Sequence, residues 1–99
     1  MSEPIRRVLV AYDISSDARR DRVAVLLQGF GERIQYSVFM VNGRPADFVR
    51  LQVALIALID ARADRVLMCD LGAKDAARRA TVYLGRRPFL TGDQPALIA

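Results

Sequence analysis

Apolar and polar positions divide this chain into short strands and medium-length helices. Residues 5–13 run through Val8, Leu9, Val10, Ala11 and Tyr12 and stop at Asp13. A short run that is apolar on both faces predicts a buried strand. Period two puts Val8, Val10 and Tyr12 on one face, and Leu9, Ala11 and Asp13 on the other. Ser15-Ser16-Asp17 then offers N-cap chemistry, and Val23, Leu26, Leu27 and Phe30 repeat at i, i+3, i+4 and i+7. That spacing predicts a helix over about 17–30, with Asp17 and Asp21 near its positive end and Gly31 as its C′ residue.

Residues 33–41 alternate again and read as a second strand. Ile34, Tyr36, Val38 and Met40 are placed against the helices, and Gln35, Ser37, Phe39 and Val41 on the opposite face. Asn42-Gly43-Arg44-Pro45 is a turn with proline near the first helical position. A helix over about 45–61 follows, with Phe48, Leu51, Leu55, Leu58 and Ile59 as its apolar stripe. Residues 64–70 read as a third strand, with Cys69 buried in it. Residues 72–79 read as a polar connector with at most one helical turn, and 79–84 as a fourth strand.

The tail carries Phe89, Leu90, Leu97 and Ile98. It is expected to dock on a partner chain and add a strand there. The domain is therefore set at 1–87 and the C-terminal segment at 88–99. The arrangement is assigned as α+β, ferredoxin-like β-α-β-β-α-β: an antiparallel sheet with both helices on one face. Leu9, Ala11, Phe39 and part of the third strand leave the other face partly apolar. A homodimer that packs sheet against sheet, with C-terminal strand exchange, would cover it.

Composition sharpens this picture. Apolar residues make up 53% of the 99 residues, above the usual share of about 45–50%, which fits a covered surface. The net charge is +4, and every base except Lys74 is arginine. Arginine suits bidentate phosphate contacts, and a basic balance favours an anionic partner such as nucleic acid. GC-rich coding produces the same arginine bias. With no histidine and the single Cys69, an imidazole base, a Ser-His-Asp triad and a cysteine zinc cluster are excluded. Glu3 and Pro4 stand where an apolar signal core would begin, and no apolar run reaches the roughly 18 residues of a membrane helix. The cytoplasm is the expected location, with no membrane partner.

Catalysis on such a chain must use carboxylates, a metal, arginine or groups from a partner. Asp13 is the leading candidate, because a carboxylate at a strand end lies at the rim of the sheet. One carboxylate makes half of a Mg²⁺ site, and a two-fold axis nearby would bring the other. Pattern alone favours reading Asp13 as an ordinary turn residue that caps the helix or accepts from the Ser15 and Ser16 amides. Arg19, Arg20 and Arg22, with Arg33, could track a phosphate backbone, and Arg78 and Arg79 could extend it. The same arginines could instead form solvated faces paired with Asp17 and Asp21. Tyr12, Tyr36 and Phe39 lack the Gly-rich strand motif of an RNA-stacking sheet and are read as core or dimer contacts.

Val10-Ala11-Tyr12-Asp13-Ile14-Ser15, the helix start at 17–20, and Ile34-Gln35-Tyr36-Ser37-Val38-Phe39 resemble the CRISPR-associated Cas2 family over about residues 5–85. Where this chain has Met40, the family often has an acid. The resemblance implies a homodimer with the last strand donated across the interface. It implies Asp13 as the metal-binding and catalytic aspartate, one from each protomer, with Mg²⁺ or Mn²⁺ as cofactor. It implies two roles: a metal-dependent endonuclease on single-stranded RNA or double-stranded DNA, and a non-catalytic bridge between dimers of the Cas1 integrase in spacer acquisition. Two alternatives keep a similar strand-end acid or the same element order: a ribonuclease toxin of the VapD type, and a small-molecule regulatory module of the ACT or PII kind.

Overall fold

The structure is a computed structural model, and it describes residues 4–86. The strand β1 (Arg6–Asp13) is followed by the helix α1 (Asp17–Gln28), the strands β2 (Gly31–Gln35) and β3 (Val38–Gly43), the helix α2 (Pro45–Leu58), the strand β4 (Arg65–Ala73) and the short helix α3 (Lys74–Ala80). The sheet is antiparallel in the order β2-β3-β1-β4. The order β-α-β-β-α-β is that of the assigned fold, with α3 appended, although the individual elements read from the sequence run β-α-β-α-β-β.

It holds through a hairpin that the alternation concealed. Residues 33–41 are not one strand. The chain turns at Tyr36 and Ser37, and β2 folds back on β3 with a register shift between Arg33 and Gln35. The turn inverts the expected phase. Phe39 and Val41 are fully buried against the helices, whereas Met40 pairs with Leu9 on the opposite face. A two-residue break is invisible to a period-two reading when the residues on either side keep alternating. Gly31 is required here for a steric reason: a Cβ would lie 2.2 Å from the Met40 carbonyl oxygen.

The core lies between the helices and one sheet face. Val8, Val10 and Tyr12 of β1 meet Phe39 and Val41 of β3, Val23 and Leu27 of α1, and Leu51 and Leu55 of α2. Leu26, Phe30, Phe48, Leu58 and Ile59 pack around them, as the stripes require. α1 starts at Ser16, whose hydroxyl accepts from the Arg19 amide at 3.2 Å. It ends at Gln28, two residues earlier than expected, because Gly29 stands next.

Three expectations after residue 64 need correction. β4 continues to Ala73, well past Asp70. Residues 74–80 form a full helix, so the stretch read as a fourth strand begins inside α3, and 81–84 belong to no strand within the described residues. Cys69 is exposed, because β4 is an edge strand and Cys69 points to the face away from the helices. The C-terminal segment 88–99, with the strand exchange assigned to it, lies outside the described residues. Among the described residues, no helix is long and apolar enough to cross a membrane.

Candidate metal and nucleic-acid site

The final turn of chemistry on β1 is Tyr12-Asp13. Tyr12 is buried in the core, which fixes the strand end, and Asp13 is exposed one residue later on the opposite face. Tyr12 also ties this end to the β2–β3 turn. Its amide donates to the Ser37 carbonyl at 3.1 Å, and its hydroxyl donates to the Tyr36 carbonyl at 3.3 Å. The Asp13 side chain makes no hydrogen bond or ion pair among the described residues. The cap of α1 is Ser16, so the capping role open to Asp13 by pattern belongs to another residue.

Across the ladder, Asp13 faces Arg65, the first residue of β4. Both are exposed and lie on the same face, yet they form no ion pair. They line a groove of about 660 Å³ at the sheet end, together with Ala11, Leu67, Ile59 and Asp64. The sequence reading missed Arg65. A signal was available, since Arg65 begins the strand that neighbours β1, but only the register reveals which residue it faces.

The arginines of α1 behave differently. Arg19 grips Asp64 with two hydrogen bonds, Nε to Oδ2 at 2.7 Å and Nη2 to Oδ1 at 3.1 Å. The Asp64 side chain is fully buried, and the Asp60 amide donates to it at 2.9 Å. Hydrogen bonding from Arg19, then from the Asp60 backbone, lowers the Asp64 carboxyl to about 2. The pair straps α1 to the entrance of β4. Arg20 pairs with Asp17 and donates to the Ile14 carbonyl at 3.0 Å. Of this cluster, Arg22 is exposed and makes no ion pair among the described residues.

Arg20 and Arg33 meet at Tyr36. Their guanidinium carbons lie 5.9 and 5.8 Å from its ring centroid, and Arg33 lies 5.2 Å from that of Phe39. Cation–π contact holds both bases beside the exposed hairpin turn. Arg78 and Arg79 lie on α3, reached from the opposite end of β4. Arg78 is 3.9 Å from Asp75, and Arg79 is exposed. The structure therefore gathers Asp13, Arg65, Arg20, Arg33 and the Arg19 strap around one end of the sheet, and sets Arg78 and Arg79 on a separate element.

A divalent metal fits this donor set as half a site. Among the described residues no group of three or more metal-ligating side chains occurs. Mg²⁺ keeps several waters and takes one or two carboxylates, which an exposed Asp13 from each of two chains would supply.

The model of the family described as CRISPR associated protein Cas2 matches residues 6–79. The chain belongs to the Cas2 family. Two Rhodospirillum rubrum relatives, each named a CRISPR-associated endoribonuclease Cas2, are 39% and 33% identical. The first alignment covers 78% of this chain and 62% of the relative; the second covers 92% and 99%. A Streptococcus pyogenes Cas2 structure matches with a TM-score of 0.71 and 33% identity, covering 80% of this chain and 99% of its own. A hypothetical protein from Thermus thermophilus matches with a TM-score of 0.75 and 30% identity, covering 87% of this chain and 98% of its own. Membership of this family supports a CRISPR-associated role. Every residue of the sheet-end cluster falls inside the matched segment.

Proposed function

We propose that this Cas2 chain acts as a homodimeric adaptation subunit that binds duplex DNA, bridges integrase dimers and hydrolyses phosphodiester bonds in a metal-dependent way. The observation that carries the hydrolytic part is Asp13: an exposed carboxylate at a fixed strand end, with no internal partner. Curated relatives carry the endoribonuclease name, which supports a phosphodiester substrate and leaves both RNA and DNA as substrates to assay.

Dimerisation has its own support. β4 is a nine-residue edge strand with Leu67 and Leu71 exposed, and residues 82 and 84 are exposed apolar positions beyond α3. An open edge beside unpartnered apolar residues favours strand addition from a second copy. Asp13 shares its sheet face with Leu9, Ala11 and Leu67, so a two-fold axis across that face and close to Asp13 would bring two Asp13 carboxylates together. The bound metal would polarise the phosphate and supply an activated water. Asp13 would hold that metal, and Arg22 and Arg33, neither in an ion pair among the described residues, seat the flanking phosphates.

Asp13→Asn tests the reading. It keeps shape and removes the charge. Mg²⁺-dependent cleavage of RNA and duplex DNA is expected to fall to background, while dimer formation, seen by sedimentation, and integrase capture persist. Cleavage that survives in the purified variant removes Asp13 from the chemistry. Integrase capture that is missing from the wild-type dimer removes the bridging role.

A further inference from the structure

We infer that Arg65 is a substrate-binding residue of the Asp13 site and seats the phosphodiester next to the metal-binding carboxylate. The inference rests on the reading of Asp13 given above and adds a residue that neither the arginine clusters of the sequence nor the family resemblance points to.

The register is the first observation. Asp13 and Arg65 are direct partners in the antiparallel β1–β4 ladder, so their side chains leave the same face of the sheet. The second is what they do not do. Arg6 and Asp70, at the other end of the same two strands, close an ion pair at 2.8 Å, and Arg19 and Asp64 close one at 2.7 Å. Asp13 and Arg65 make no such contact among the described residues, although opposite charges so placed ordinarily attract. Both residues line the same groove, whose remaining lining includes Ala11, Ile59 and Leu67. A carboxylate and a guanidinium held side by side but unjoined present a cation site and an anion site. A metal-bound phosphodiester carries both complementary charges. Arginine offers the planar fork that takes two phosphate oxygens at once.

β4 also makes the position firm. The Arg19–Asp64 strap fixes the residue immediately before Arg65 to α1, and Val66 immediately after it packs on the core. The guanidinium therefore stands on a backbone anchored on both sides. Preorganisation of this kind lets a single side chain fix the register of a bound chain.

The test uses the full chain and a short labelled DNA duplex in metal-free buffer, titrated across a salt series. Arg65→Ala is expected to reduce the magnitude of the log–log salt slope by about 0.9 and to weaken binding roughly five- to tenfold at 0.1 M salt. Arg65→Lys is expected to regain the slope and part of the affinity. Arg50→Ala, which removes an arginine already paired with Asp47 on α2, is expected to leave the slope unchanged. The loss on Arg65→Ala is expected to persist in the Asp13→Asn background, because it reports phosphate contact and not neutralisation of Asp13. An unchanged slope in Arg65→Ala overturns the proposal, as does a loss that vanishes in Asp13→Asn. A wild-type protein that cleaves nothing but loses slope on Arg65→Ala sinks the nuclease reading and leaves Arg65 as a phosphate contact.

Discussion

Two acid–arginine arrangements lie within a few residues of each other, and they are opposites. Asp64 is buried, bidentate with Arg19, bonded to backbone and driven to about 2. Asp13, one strand over, is exposed, and its side chain makes no bond among the described residues, although Arg65 faces it across the ladder. The first arrangement joins α1 to β4 and holds the sheet end in shape. The second leaves both charges available to a ligand. Charge type alone does not separate a structural arginine from a binding one; the partner does. Arg19 and Arg65 have the same chemistry, and only one of them has its donors engaged.

Breaking the strap is expected to give the largest effect on the fold. Asp64→Asn leaves Arg19 without its charged partner in a partly buried position. We expect a drop in Tm of roughly 5–10 °C for this variant. Asp13→Asn is expected to leave Tm unchanged. Equal Tm values for both variants would erase the distinction between strap and site.

Acid sharpens the same contrast. The folded Asp64 carboxyl sits at about 2, below its ordinary value of 3.8, so folding favours the ionised form. Its contribution is complete above about pH 4 and is lost as pH falls through 2. Wild-type stability, followed by denaturant unfolding, is expected to decline across that window. Asp64→Asn is expected to decline less steeply there. A parallel decline in both proteins would mean that other carboxylates dominate the acid transition.

The smallest effect concerns the arginines of α1. Arg19→Ala is expected to act mainly on stability, whereas Arg22→Ala removes a guanidinium with no ion pair among the described residues. Arg22→Ala is expected to flatten the salt slope of duplex binding by about 0.9, with Tm unchanged. A larger slope loss for Arg19 than for Arg22 would reverse the assignment of strap and contact.

Much of this was legible in the residues. The helical stripes named the core, the apolar run of β1 named a buried strand, and the strand-end position made Asp13 a candidate. What was not legible depended on register. Two residues at 36–37 turn one apparent strand into a hairpin and move Phe39 to the core. Nothing local in the sequence marks Asp64 as the mate of Arg19, 45 residues away, or Arg65 as the residue opposite Asp13. α3 was missed because Lys74–Ala80 is too short and polar to show a stripe, although its alanines and arginines favour a helix. Cys69 was misplaced for a related reason. An apolar strand looks buried in sequence whether it lies at the centre of a sheet or, as β4 does, at its edge.

The central claim is that Asp13 is half of a metal site completed by a second chain. The most direct measurement is the stoichiometry of Mn²⁺ bound to the purified dimer, read by electron paramagnetic resonance against free ion. The account predicts a saturable site with one Mn²⁺ per two chains, displaced by Mg²⁺ and absent in Asp13→Asn. One Mn²⁺ per chain, or a site that survives Asp13→Asn, would contradict it.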